Sequence, residues 1–165
     1  MIHENVELHN VAELYYDGLC SGHRLQRVPE KVRKALNPKA QLRFLQPDNA
    51  EIRYVSSGPS RVKLSSRGKT RVSVFFGPFD SCQRAIVGRE PQIIEIAPSE
   101  ALEAIPDHYT TSMPFSRHVV RLVLGGPERD PVLIHGVEGG DIRPPEETEL
   151  PSLRLLTYGT SITHG

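Results

Sequence analysis

Apolar and polar residues alternate with a period of two along much of this 165-residue chain, the spacing of strands that cover one face and wet the other. In Glu51–Val55, Ile52 and Tyr54 oppose Glu51, Arg53 and Val55; in 61–65, Val62 and Leu64 oppose Arg61 and Lys63. Thr70–Phe76 sets Val72, Val74 and Phe76 against Arg71, Ser73 and Phe75, and 117–124 sets Val120, Leu122 and Leu124 against Val119, Arg121 and Val123. Segments 42–45, 92–96 and 132–137 are further strands, with turns at SSGPS, SRGK, GPFD and GGPERD. Helical spacing is legible over 29–36. Pro29 suits the first turn, Glu30 complements the helix dipole, Val28, Val32, Ala35 and Leu36 share a face, and Lys34, Asn37 and Pro38 close it. Residues 99–104 fit one more helical turn. Many short strands with one short helix predict an all-β fold, a β-sandwich or jelly roll.

The pattern changes at EGGDIRPPEETELPS, residues 138–152, which is rich in Gly, Pro and acidic residues and has no apolar period. It reads as a linker. Beyond it Leu153, Leu155 and Leu156 form a nearly continuous apolar run, as in a strand covered on both faces of a parallel sheet. The expected organisation is a sandwich over 1–137, a linker over 138–152, and over 153–165 the first strand of a second domain.

Charge narrows the function classes. Lys plus Arg (20) balances Asp plus Glu (20), so no global field draws nucleic acid or an anionic membrane, and neither partner is expected. No run approaches the roughly 18 apolar residues of a membrane helix, and the acidic start MIHENVELHN has no signal-peptide core; the expected compartment is the cytoplasm. The two cysteines, Cys20 and Cys82, form no CxxC pair and read as free thiols, and the seven histidines show no H-x-H or H-x3-H spacing. No metal and no cofactor are expected.

The end of the chain, YGTSITHG, resembles the first motif block of the GDSL, or SGNH, hydrolases, in which a serine follows the first strand of a flavodoxin-like α/β/α domain. Gly159, Ser161, Ile162 and Thr163 match, while Thr160 stands where that family usually has Asp. The upstream stretches HNVAELYYDG, LQRVPEKVRKALN, EIRYV, RHVVRLVL and IHGVEGGDIRPP resemble the N-terminal β-sandwich of one bacterial branch of SGNH esterases. The resemblance implies that Ser161 is the nucleophile, that its backbone N–H is one oxyanion donor, and that Gly159 gives the acyl group room. It also implies an Asp-x-x-His base pair and further oxyanion donors beyond residue 165. No Asp-x-x-His occurs in this sequence, so residues 1–165 are expected to be silent toward p-nitrophenyl acetate, as if cut just after the nucleophile motif. The expected parent is a serine esterase of the lipase/acylhydrolase kind, hydrolysing esters or transferring acyl groups, glycan deacetylation included.

Three roles follow for the sandwich: an accessory domain shaping one wall of the substrate cleft, a carbohydrate-binding module, or an interaction module for which the serine motif is chance. The first implies as partners the chain's own C-terminal catalytic domain and an ester or acylated-carbohydrate ligand. The second rests on Tyr15, Tyr16, Tyr109 and Phe115 forming a small platform. The strand over 153–158, without its sheet, is expected to pack on the sandwich or on a second copy. Among the histidines, His164 projects along its helix away from Ser161, His118 lies at the core or rim of its strand, and His135 is near the domain junction. His3, His9, His23 and His108 are expected in solvent, and whether His118 and His135 meet is open.

Overall fold

The computed structural model describes residues 1–16, 18 and 21–153; the tail that carries Gly159 and Ser161 lies outside them, as does all but Leu153 of the expected orphan strand. The alternating segments pair as antiparallel strands in two sheets. The chain begins with β1 (Ile2–His3), β2 (Val6–His9), β3 (Glu13–Tyr15) and β4 (His23–Gln26), then two short helices, α1 (Glu30–Lys34) and α2 (Pro38–Arg43). The body follows as β5 (Glu51–Val55), β6 (Ser60–Ser66), β7 (Thr70–Phe76), β8 (Phe79–Val87) and β9 (Gln92–Ile96). After α3 (Glu100–Glu103), the strands β10 (Val119–Arg129) and β11 (Val132–Gly139) complete the sandwich. One sheet runs β1-β2-β5-β10-β7-β8 and the other β3-β4-β11-β6-β9.

The period of two decides what fills the space between the sheets. Ile52, Tyr54, Val62, Leu64, Val72, Val74 and Leu122 are fully buried in one cluster, each apolar side chain contributing roughly 1.5–3 kcal/mol by leaving water. Tyr54 brings a hydroxyl into that core and satisfies it on Ser60 Oγ at 2.7 Å. Burial pushes its phenol up to about 12, outweighing the serine hydrogen bond.

Four expectations are corrected. Segment 42–45, read as a strand, falls in and after α2, because Pro38 occupies the first helical turn and the Asn37 side chain accepts the Ala40 N–H at 3.0 Å. Asn37 thus starts a second helix rather than ending the first, and α3 adds a third, capped by Ser99. The apolar face assigned to the first helix is not its buried face: Val32 is 49% exposed, and the buried residue of α1 is Glu30, held by Arg24 and Arg33. Finally, GGPERD is not a turn between strands, since β10 runs through it to Arg129 with an irregular register after Leu124.

The segment expected as a linker starts inside β11 and stays on the sandwich. Arg143 and Val55 exchange backbone hydrogen bonds at 2.9 and 3.1 Å, and a 3-10 turn at Glu147–Glu149 follows. Among the described residues, no helix is long and apolar enough to cross a membrane.

Candidate functional site

At one end of the sandwich, the loop after β5, the last residues of β7 and β9 and the first of β6 and β10 surround a cavity of about 310 Å³. Its floor is apolar, from Phe76, Ile96 and Val120, and α3 roofs it with Leu102. That volume is at the lower end of small-molecule sites. The serines of its rim are already committed. Ser56 Oγ donates to the carbonyls of Gly58 (2.9 Å) and Gly140 (3.0 Å), Ser57 Oγ donates to Asp141 (3.2 Å), and Ser60 pairs with Tyr54. Glu103 and His118, both exposed, and the half-buried Arg117 are the charged or ionisable residues of its lining. The site suits a mostly apolar body with one or two polar atoms.

One wall, the segment 105–118, is held by buried charge on the outer face of the first sheet. Register puts Glu7, Arg53, Arg121 and Phe75 in one cross-strand row, which sets two guanidinium groups side by side. Glu51 makes this tolerable: its carboxylate accepts Arg53 Nε at 2.7 Å and Arg121 Nε and Nη2 at 2.9 and 2.8 Å. Burial pushes the Glu51 carboxyl up, but the hydrogen bonds from Arg121 and Arg53 outweigh it and hold the group below its ordinary range. Phe115 covers the cluster, its ring centroid 4.1 Å from the Arg121 guanidinium carbon and 5.2 Å from that of Arg53. Arg117 donates to the Ile105 carbonyl. The same segment therefore arrives at the cavity with Arg117 and His118 in its lining.

The segment that follows β11 crosses this end. Gly139, last residue of β11, is opposite Ser60, and the strand's continuation crosses the rim: Gly140 O accepts the Ser57 N–H at 3.2 Å and Glu149 O accepts the Ser116 N–H at 3.0 Å. Arg143 clamps Glu149 through two bonds of 2.7 and 2.8 Å. This hydrogen bonding is the first cause that holds the Glu149 carboxyl below its ordinary range, and the bond it accepts from the Glu146 backbone N–H adds to it. The rim and the segment 140–149 are one hydrogen-bonded structure.

The nominated nucleophile Ser161, its backbone N–H, Gly159, and His164 lie outside the described residues, and Cys20 does also. Cys82 is a free, exposed thiol. His118 stands at the start of β10, exposed at the cavity rim. His135 lies on β11, in the other sheet, so the two do not meet. It sits at a register irregularity between Ile134 and Gly136, with Nε2 2.8 Å from Ser65 Oγ and Nδ1 3.4 Å from Ser21 Oγ. Burial, and then the charge of Lys63, pushes its pKa below the ordinary imidazole value. His3 and His23, expected in solvent, approach each other with ring centroids 5.7 Å apart beside it; His9 pairs with Glu7 at 3.7 Å, and His108 stacks on Tyr109 at 4.1 Å. Among the described residues no group of three or more His, Cys, Asp or Glu is arranged to hold a metal ion.

The proposed aromatic platform is not assembled. Tyr15 is on the second sheet beneath Arg24 (4.6 Å), whereas Phe115 covers the outer face of the first sheet, and Tyr16 contacts His23 at 5.6 Å. Residues missed from the sequence are the cavity floor, whose apolar members read simply as core, and the serines around His135. The signal for the cavity was the Ser-Ser-Gly-Pro-Ser loop beside the strand end, which reads as a turn and nothing more.

No protein-family model and no curated protein matches the chain. Among solved structures it is similar to the salicylyl-acyltransferase SsfX3 from a tetracycline biosynthetic pathway, with a TM-score of 0.56 and 11% sequence identity. The similarity covers 86% of this chain and 39% of that enzyme, so the chain spans about two-fifths of its length. At this identity the likeness is one of fold.

Proposed function

We propose that this sandwich is the accessory domain of a serine acyl-transfer enzyme of the SGNH/GDSL kind, hydrolysing or transferring esters, and that its end cavity forms one wall of the substrate cleft. The observation that carries this reading is the coincidence at one end of the sandwich. The cavity, its rim and the segment 140–150 are hydrogen-bonded together, and Gly159, Thr160 and Ser161 follow that segment in the sequence. A fold shared with part of an acyltransferase supports the reading. In this role Ser161 attacks the acyl carbonyl after giving its proton to an imidazole from the catalytic domain, and the resulting oxyanion is met by backbone N–H groups, that of Ser161 among them. The sandwich performs no proton transfer there. It orients the apolar part of the substrate and excludes water, with Glu103 and His118 available to its polar atoms.

The alternative, a carbohydrate-binding module, asks for exposed rings and uncommitted hydroxyls, and this cavity has its serines already bonded. The test uses the reading frame that carries residues 1–165 with its continuation. Ser161→Ala is expected to abolish hydrolysis of p-nitrophenyl esters, and Leu102→Arg, which fills the cavity, to raise KM several-fold at nearly constant kcat. Full turnover in Ser161→Ala, or calorimetric binding of acetylated oligosaccharides by residues 1–165 with no effect of Leu102→Arg on KM, would overturn the proposal.

A further inference from the structure

Away from the end cavity, a second and smaller cavity of about 90 Å³ opens between the β1–β2 turn, the start of β4 and the middle of β11. His135 is aimed there by the bulge in β11, a device that re-aims a side chain out of the regular alternation. Gly22 permits the approach: a Cβ on it would lie 2.7 Å from Cε1 and 2.9 Å from Nδ1 of the His135 ring. The ring is thereby fixed between two hydroxyls, the buried Ser65 on Nε2 at 2.8 Å and the exposed Ser21 on Nδ1 at 3.4 Å. His3 and His23 line the same cavity.

We infer that Ser21 and His135 form a nucleophile–base pair that accepts short acyl groups from esters, with Ser65 as the positioning residue. The arrangement has the three parts such chemistry needs: a hydroxyl at the solvent side, an imidazole within hydrogen-bond reach, and a buried group on the far nitrogen. With the ring proton on Nε2 and donated to Ser65, the Nδ1 lone pair faces Ser21. Burial, and then Lys63, lowers the ring's pKa and so favours the neutral form, the state a base requires. In the acylation step the Ser21 proton moves to Nδ1, Oγ bonds to the ester carbonyl carbon, and the C–O bond to the leaving alcohol breaks. That alcohol departs with the proton from His135. Water reverses the sequence to free the serine. The imidazoles of His3 and His23 are the donors at hand for the oxyanion. The cavity holds about three water volumes, which limits the acyl group to acetyl or propionyl size.

This departs from the expectation that residues 1–165 are silent, and the difference is Ser21 rather than Ser161. Residues 1–165 are treated with an alkyl fluorophosphonate, which displaces fluoride onto activated serines, and the labelled peptides are mapped. Label is expected on Ser21, slowed by about a hundred-fold or more in His135→Gln, the usual contribution of a general base. It is expected to be slowed in Ser65→Ala and restored in Ser65→Thr, which keeps the hydroxyl. An unlabelled Ser21 in the unmodified protein, where folding is not in question, overturns the inference. So does an equal labelling rate in His135→Gln. Label on Ser161 maps to a different peptide and bears only on the function proposed above.

Discussion

Replacing Glu30 with Gln removes one negative charge from a site where three cations converge. Glu30 begins α1 and is 8% exposed, with Arg33 Nη2 at 2.7 Å and Nε at 2.8 Å, Arg24 Nη2 at 3.3 Å and Lys34 Nζ at 3.7 Å from its carboxylate. Hydrogen bonding from Arg33 is the largest cause that lowers its carboxyl from an ordinary 4.5 to about 2, against the opposing effect of burial. At roughly 1.4 kcal/mol per pH unit, a depression of that size stabilises the folded chain by about 3 kcal/mol. Because the folded-state value lies below the unfolded one, the contribution is complete above pH 4.5 and is lost as pH falls toward 2. About 1 kcal/mol remains at pH 3. Gln cannot ionise, so the variant should be less stable by about 3 kcal/mol at pH 7, in line with the cost of stranding buried guanidinium groups. The deficit should shrink to about 1 kcal/mol at pH 3. Urea unfolding followed by circular dichroism at pH 7, 5, 4 and 3 measures the difference, since the chain has no Trp to report by fluorescence. A deficit that stays constant across that range would refute the reasoning, because it would place the stabilisation in packing rather than in the ionised carboxylate.

Two further outcomes test the fold around the cavity. Leu122→Ala, at a fully buried position in the middle of β10, should cost about 2–5 kcal/mol, read as a lower urea midpoint at unchanged m-value. Gly77→Ala should cost about 1–3 kcal/mol and show as a lower melting temperature with faster hydrogen exchange over 116–119. Its φ is +53°, and a Cβ there would sit 2.5 Å from the Ser116 carbonyl oxygen.

Legibility followed the kind of interaction. Wherever a strand buries one apolar face, as in β6, β7 and β10, the alternation named both the element and its core residues, because a one-residue slip would expose the whole set. It failed at β1, β2 and β4, whose few residues give too short a period, at β8, whose side chains are mostly exposed and show no apolar alternation, and at 42–45, where a local cap at Asn37 outweighed an apolar run. Glu30, Glu51, Arg53 and Arg121 read as solvent-facing charges on strand and helix surfaces. Glu51 and Arg53 are buried and Arg121 partly so, because register brings them together and the segment bearing Phe115 covers the two guanidinium groups, while Glu30 is enclosed by Arg24 and Arg33.

The chain's own order of residues determined the all-β class, the inner faces of the main strands, and the isolated serine motif near its end, since each depends on neighbours within a few positions. Only the tertiary structure decided that the Gly- and Pro-rich segment after β11 stays docked at the rim of an end cavity. It alone decided that the core-like Phe76, Ile96 and Val120 floor that cavity, and that Ser21, Ser65 and His135 meet. Those relations join residues tens of positions apart through sheet pairing and a bulge, and no periodicity along the chain records which distant partner a strand will take.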